Sequence, residues 1–319
     1  MKNKKVLITG SSGFIGFHTA KKLKSVGYEV IGFDNYNDYY EPSLKENRTK
    51  ELKKHDVNIT RGDLMDISFL NKFMKEHKPD LVLHLAAYAN VRHSFVEPEK
   101  YLDNNIKGTH NLIESLVENN ISKVVYASTS CVMHGNSLPW KESEKYGHPN
   151  NPYGISKAAN ESQFICSKIP TTVGLRFFTV YGPWGRPDMA LYDFTNKIVE
   201  GKEIELFNYG NMKRDFTYVE DIVQGINIII DKYLNEESSR EIYNIGLGEE
   251  VQLMDFVDHI ENNLDRKANR KLVEQKPGEA LTTWSDCTKI KKLGYKPQTP
   301  IKEGVEKFIT WYKSYYGIN

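Results

Sequence analysis

Val6-Leu7-Ile8-Thr9-Gly10-Ser11-Ser12-Gly13-Phe14-Ile15-Gly16 runs from a short apolar stretch through a glycine-rich turn into an amphipathic segment that continues to Val26. The pattern reads as strand, turn, helix. Glycines in such a turn let the backbone bend tightly, approach a ligand closely and pack helix on strand. The helix start offers unpaired N–H groups and a partial positive charge, which suit the phosphates of a dinucleotide. A second strand, Glu29 to Asp34, ends 18 positions beyond Gly16. A carboxylate there accepts hydrogen bonds from an adenosine ribose and repels a 2′-phosphate, so NAD is expected over NADP. Capping of the next turn is the plainer alternative for Asp34. From this unit the cofactor candidates are Gly10, Gly13, Phe14, Ile15, Gly16, Asp34 and Asn35.

Working outward, Val57–Thr60, Leu81–His84 and Val124–Tyr126 read as further strands, with a long helical pattern from about Tyr101 to Glu118. Near-continuous apolar strands separated by helix-length segments imply parallel strands covered on both faces. The expected fold is therefore α/β, a Rossmann-type doubly wound parallel sheet. After about Pro170 the rhythm loosens. Thr172–Leu175 and Ile242–Ile245 look like strands, while Leu191–Glu200, Met254–Leu264 and Glu306–Tyr316 look helical. Arg266 to Pro277 is simply polar. We expect a cofactor domain over 1–170, joined by some later segments, and a smaller substrate domain mainly over 171–319. Asp63 and Leu64, just after the third strand, flank the adenine, or Asp63 serves as N-cap of the next helix, or both hold at once.

Composition narrows the classes. Of 319 residues, 43 are Lys or Arg and 42 Asp or Glu, a net charge of +1 that supplies no global field for nucleic acid. Three scattered cysteines, Cys131, Cys166 and Cys287, make neither a disulfide framework nor a zinc site, so no metal is expected. No run approaches the ~18 apolar residues of a membrane span, and MKNKKVLITG lacks the apolar core of a signal peptide. The expectation is a cytoplasmic protein without membrane partners.

The chemistry is sought at the carboxyl ends of the strands. Tyr126-Ala127-Ser128-Thr129-Ser130 leaves the fifth strand there, and Tyr153-Gly154-Ile155-Ser156-Lys157 places a tyrosine and a lysine four apart on one helix face. A free phenol has a pKa near ~10, and a neighbouring ammonium would stabilise its phenolate. With 19 tyrosines in the chain, that spacing alone is weak. The hydroxyl segment upstream makes it specific. For Ser128, proton relay towards Tyr153 and ordinary turn chemistry are both open.

These residues, taken together, resemble the extended short-chain dehydrogenases/reductases, and within them the nucleotide-sugar epimerases. The resemblance runs from Lys5 to about Gly294. It covers the glycine-rich turn, Asp34, Leu85-Ala86-Ala87, Ser128-Thr129-Ser130, Tyr153 with Lys157, Leu175-Arg176-Phe177-Phe178, Tyr181-Gly182-Pro183, Arg214-Asp215-Phe216 and Pro277-Gly278-Glu279. Asn37–Tyr40, Ser43–Lys45, Arg48, Arg176–Ala190 and Tyr209–Phe216 are similar to UDP-glucuronate 4-epimerases in particular.

The resemblance implies tightly held NAD, a UDP-sugar partner, and catalysis by Thr129, Tyr153 and Lys157. Hydride would leave sugar carbon 4 as Tyr153 takes the hydroxyl proton, the flat 4-keto sugar would turn over, and both would return on the opposite face. It adds Asp63, Leu64, Leu85, Ala86 and Ala87 to the cofactor set. It also implies substrate contacts from Ser130, from Thr179 and Arg186 at the sugar carboxylate, from Arg214 at the diphosphate, Phe207 at uracil and Glu279 at the ribose. For Phe207 a core position is equally open. The alternative activity is 4-epimerization of a neutral UDP-sugar, and a non-catalytic NAD-binding sensor is the reading outside enzymes.

Three positions depart from the family's Ser-Val-Tyr-Gly continuation, which here reads Cys131-Val132-Met133-His134-Gly135. His134 is either a proton carrier or a loop histidine without a role. A homodimer is implied through helices around 98–119 and 152–168. Tyr101, Ile106, Leu112 and Leu116 give the first an apolar face, which serves equally for burial inside one chain.

Overall fold

The computed structural model describes residues 4–318. β1 (Lys5–Thr9), β2 (Glu29–Asp34), β3 (Asn58–Arg61), β4 (Leu81–His84), β5 (Lys123–Thr129), β6 (Thr171–Phe177) and a last strand, Ser239–Ile245, form one seven-stranded sheet. The order runs from the last strand through β6, β5, β4 and β1 to β2 and β3, and every pairing is parallel. The winding reverses direction between β1 and β4. Such a reversal opens a crevice at the carboxyl ends of the strands, and this fixes where a ligand sits.

Alternation along β1 divides the core. Val6 and Ile8 pack on one face with Phe14, Phe17 and the helix Val219–Tyr233. Leu7 points to the other, with Leu70 and Met74 of the helix Ile67–His77 and Leu112 of the helix Gly108–Glu118. Side chains two apart share a face, so a strand apolar on both sides must be covered twice. The Rossmann-type expectation is met.

Beyond β6 three small pairs build a second layer of scaffold. Thr179–Tyr181 pairs parallel with Phe216–Tyr218, Glu203–Leu206 parallel with Asn269–Leu272, and Lys213–Arg214 antiparallel with Val251–Gln252. Asn269–Leu272 lies in the stretch read as simply polar. Its side chains are mostly exposed, so the strand is held by backbone pairing that leaves no apolar pattern. The helical segment expected from Tyr101 also differs from its pattern. It begins at Pro98, widens into a π-helical turn over Leu102–Lys107 and resumes at Gly108. Tyr101, Leu112 and Leu116 are fully buried within the chain and serve its own core, while Ile106, the fourth member of that face, is half-buried. Among the described residues no helix is long and apolar enough to cross a membrane.

Candidate active site

One cleft of about 460 Å³ lies at the β1/β4 reversal and is lined by every site residue read from the sequence. Its cofactor side is built from backbone. Gly10 has φ +70°, and a Cβ there would sit 2.8 Å from the backbone of Ala86. At Gly16 a Cβ would stand 2.2 Å from the Gly10 carbonyl oxygen. The helix Phe14–Ser25 starts at Gly13 with no side-chain cap, so its first N–H groups face the cleft without a resident acceptor. Thr9 secures the opposite lip, its hydroxyl accepting from the Ala86 N–H (3.1 Å) and meeting His84 Nδ1 (2.8 Å). Burial, with Lys157 nearby, lowers the His84 pKa to about 3, so this ring is neutral.

Asp34 does cap the following turn: its carboxylate accepts from the N–H groups of Ser12 (3.1 Å) and Tyr36 (2.9 Å). A carboxylate has about four lone-pair sites, so capping leaves acceptors for a ribose. Asp63 lines the cleft and accepts from Asn35 Nδ2 (3.1 Å) and Met65 N (2.9 Å). The N-cap of the next helix is Asp66, which accepts from Phe69 N, so the helix-start alternative for Asp63 falls.

The helix Pro152–Cys166 begins as its sequence dictates, with Asn151 Oδ1 accepting from Gly154 N (2.7 Å) and Pro152 in its first turn. Tyr153 and Lys157 then face the cleft together. Burial, helped by the Cys131 thiol, pushes the Tyr153 phenol above its ordinary pKa, while a hydrogen bond with the Thr129 side chain and the charge of Arg186 pull it back. Burial lowers Lys157 to about 8, opposed by Glu161 one turn further along. The Lys157 ammonium donates to Asn160 Oδ1 (2.9 Å), whose amide in turn donates to the Asn105 carbonyl (2.7 Å). Asn105 sits on the π-helical turn, which brings its backbone within reach of the helix Pro152–Cys166.

Ser128 settles on neither of its two readings. Its hydroxyl donates to Glu161, which is bound bidentately by Arg176 at 2.9 and 2.8 Å in a fully buried ion pair. Glu161 lies four residues beyond Lys157, a spacing that held the signal unread. Cys131 lines the cleft beside Thr129, and His134 meets Asn150 (3.1 Å) at its rim.

The side expected to take the sugar is built from side chains that hold one another. Arg186 donates from Nε and Nη2 to Asp188 (3.0 and 2.5 Å) and from Nη1 to the Ala89 carbonyl (2.8 Å). Asp188 also accepts from Tyr39 (2.9 Å) and Asn90 (2.6 Å). Arg214 Nη2 donates to Glu279 (3.1 Å), whose other oxygen stands 3.7 Å from Arg92. Phe207 falls just past its strand, half-buried, with Lys276 and Arg92 over its ring at 4.4 and 5.5 Å. Thr179 and Ser130 line the same cleft.

Arg48 joins the two sides. It is fully buried, and its five N–H donors go to Ser12 O, Tyr40 Oη, Gly185 O and twice to Trp184 O. A glycine cradle at a helix start, an acidic residue ending β2 and a Thr–Tyr–Lys set facing the same cleft suit a nicotinamide dinucleotide beside a proton-transfer group. Residues 6–246 match the model of the NAD dependent epimerase/dehydratase family. The chain belongs to that family and is an NAD-dependent nucleotide-sugar 4-epimerase.

It is 42% identical to Protein CapI of Staphylococcus aureus, over 98% of this chain and 99% of that one. It is 39% identical to UDP-glucuronate 4-epimerase 4 of Arabidopsis thaliana, over 98% of this chain and 76% of that one. The structure superimposes with TM-score 0.90, at 31% identity, on UDP-glucuronic acid 4-epimerase from Bacillus cereus in complex with UDP-glucuronic acid and NAD, covering 98% and 100% of the two chains.

Proposed function

We propose that the chain interconverts UDP-glucuronate and UDP-galacturonate. The observation that carries this is Arg186, fixed in the cleft that also holds Tyr153, with three of its five N–H donors engaged and two left for an incoming carboxylate. The glycine cradle fits the pyrophosphate of NAD, since a Cβ at Gly10 or Gly16 would collide with backbone. NAD, when bound, supplies a reversible acceptor for the hydride of sugar carbon 4.

The chain's residues then divide the remaining work. The free amides at the start of the helix, Phe14 and Ile15, would meet the pyrophosphate, while Gly13 N–H closes the turn on the Gly10 carbonyl; Asp34 would take the ribose hydroxyls, and Asp63, Leu64 and Leu85–Ala87 would flank the adenosine and nicotinamide. Tyr153 takes and returns the hydroxyl proton through Thr129, and the Lys157 charge supports its phenolate. Arg214, Phe207 and Glu279 anchor the UDP end, with Arg214 passing from Glu279 to the diphosphate. Thr179, Ser130 and Arg186 hold the sugar.

Orientation is the central demand of this substrate. A 4-keto uronic acid is a β-keto acid and loses carbon dioxide when its carboxylate bond aligns with the carbonyl π system. Bidentate donors on a fixed guanidinium prevent that alignment. Purified protein with NAD, given UDP-glucuronate, UDP-glucose and UDP-N-acetylglucosamine, is expected to epimerize UDP-glucuronate alone or by a wide margin. Exclusive turnover of a neutral sugar would overturn the reading. The pairing of Arg186 with Asp188 is the observation that favours this second reading, since a neutralised arginine exerts no net pull on an anion.

We further propose that residues 1–170, with β6 and Ser239–Ile245, serve the cofactor and that later segments serve the sugar. A homodimer is the proposed assembly. Leu102, Ile155 and Ile165 are about half exposed (50%, 51% and 45%) on the two helical segments read as the interface. Sedimentation is expected to show a dimer, and Ile155→Glu a monomer; a wild-type monomer would end the proposal.

A further inference from the structure

We propose that Asp188 sets the sugar preference of the cleft, holding Arg186 in place while cancelling its charge. The inference rests on the reading of Arg186 as the partner of the group on sugar carbon 6. Asp188 is not a solvated loop carboxylate. Its oxygens collect four donors: Nε and Nη2 of Arg186, the Tyr39 hydroxyl and Nδ2 of Asn90. These come from three stretches of chain far apart in sequence. The Tyr39 ring also lies 5.7 Å from the guanidinium carbon, and the Ala89 carbonyl takes Nη1 from the far side. A long side chain with this many fixed partners has one orientation, so its two remaining N–H donors point one way.

The same arrangement has an electrostatic consequence. An isolated arginine in a half-enclosed cleft would draw any anion; an arginine with a carboxylate on its side-on face draws none by net charge. A sugar carboxylate that accepts the two remaining donors lies a second ion's distance from Asp188, and the two like charges repel. The other buried cations of the cleft wall are committed as well: Lys45 to Asn37 O and Oδ1 at 2.8 and 2.7 Å, Lys157 to Asn160 and Arg214 to Glu279. Lys197 at the rim is paired with Asp193. Recognition of the carbon-6 group therefore runs through directed hydrogen bonds, and Asp188 narrows the advantage of an acidic sugar over a neutral one. It acts through Arg186 and is a positioning residue.

The test is a set of binding titrations with NAD present in the Tyr153→Phe background, where turnover is blocked. UDP-glucuronate, UDP-glucose and UDP are the ligands. Asp188→Asn keeps the size and one acceptor oxygen but removes the charge. It is expected to raise the preference for UDP-glucuronate over UDP-glucose about tenfold, the scale of a like-charge repulsion across roughly 7 Å in a half-buried site. UDP affinity is expected to stay unchanged. An unchanged preference, or parallel weakening of all three ligands, overturns the proposal.

If Asp188→Asn does not fold, Arg186→Gln is compared with Arg186→Gln/Asp188→Asn. The double variant is expected to bind UDP-glucuronate more tightly than the single one, and no gain overturns the proposal. The two readings separate cleanly. If Arg186→Gln leaves the preference untouched, the carboxylate reading of Arg186 has failed. If Arg186→Gln moves the preference and the Asp188 substitutions do not, the Asp188 inference alone has failed.

Discussion

The cofactor side and the sugar side of the cleft are made by different means. Around Gly10, Gly13 and Gly16 the working parts are backbone amides and the space left by missing side chains. Around Arg186, Asp188, Arg214 and Glu279 they are side chains that occupy one another's hydrogen bonds. The first kind of site is fixed when the strand–turn–helix forms. The second is fixed only when Tyr39, Ala89 and Asn90 arrive from elsewhere, and it remains tunable one residue at a time.

Four measurements sharpen or break this contrast. Tyr153 belongs to neither construction, and its replacement by Phe is expected to lower kcat by on the order of 10³-fold, because proton transfer disappears while binding remains. Calorimetry with UDP and NAD checks that both affinities stay within about threefold of the wild type. Gly10→Ala attacks the backbone-built side. With φ +70° and backbone at 2.8 Å, the methyl group is expected to cost about 2–3 kcal/mol in a denaturant titration and to abolish NAD binding. A tolerated methyl with normal NAD affinity would show that the cradle is looser than its contacts.

Arg186→Gln attacks the side-chain-built region. It is expected to reduce kcat/KM for UDP-glucuronate about 10- to 100-fold, the worth of a charge-assisted bidentate contact, and to lower the melting temperature by a few degrees because Asp188 loses its cation. A large fall in melting temperature would mean that the arginine is structural first. The smallest effect is in the pH profile. Lys157, lowered by burial to about 8, is charged below that value and neutral above it. On the proposed role of Lys157 in supporting the Tyr153 phenolate, its charge is lost as pH rises through about 8, so kcat is expected to fall on the alkaline side. Lys157→Arg, charged throughout, should remove that fall. An alkaline limb that persists in this variant belongs to another group.

Legibility in the sequence follows the same divide. The strands of the sheet and the glycine cradle were readable because apolar periodicity and glycine placement are local. The strand Asn269–Leu272 was not, since its exposed side chains carry no pattern and Glu203–Leu206 supplies its pairing. Thr129, Tyr153 and Lys157 are readable as a motif and the structure brings them to one cleft, but the motif does not carry the raised Tyr153 phenol. Lys157 spends its bond on Asn160, and burial dominates at the tyrosine. The apolar stripe of Tyr101, Leu112 and Leu116 could not reveal which partner it faced, and it faces the chain's own core. Asp188 lay two residues from Arg186 in plain view. What hid it is that the candidate partner for the arginine was sought in the substrate.

Arg48 carries a consequence for how the molecule opens. One guanidinium without solvent contact is riveted to the carbonyl of Ser12 in the cofactor turn and to those of Trp184 and Gly185 beside Arg186. Neither loop can swing away without stripping donors from a buried cation, so the two breathe together or not at all. Amide hydrogen exchange over residues 10–16 and 182–188 is expected to be slow and matched, and to accelerate in both segments when Arg48→Met cuts the rivet; acceleration in one alone would show that the loops are independent. A single buried cation thus makes the glycine-rich turn and the Trp184–Gly185 loop one mechanical unit.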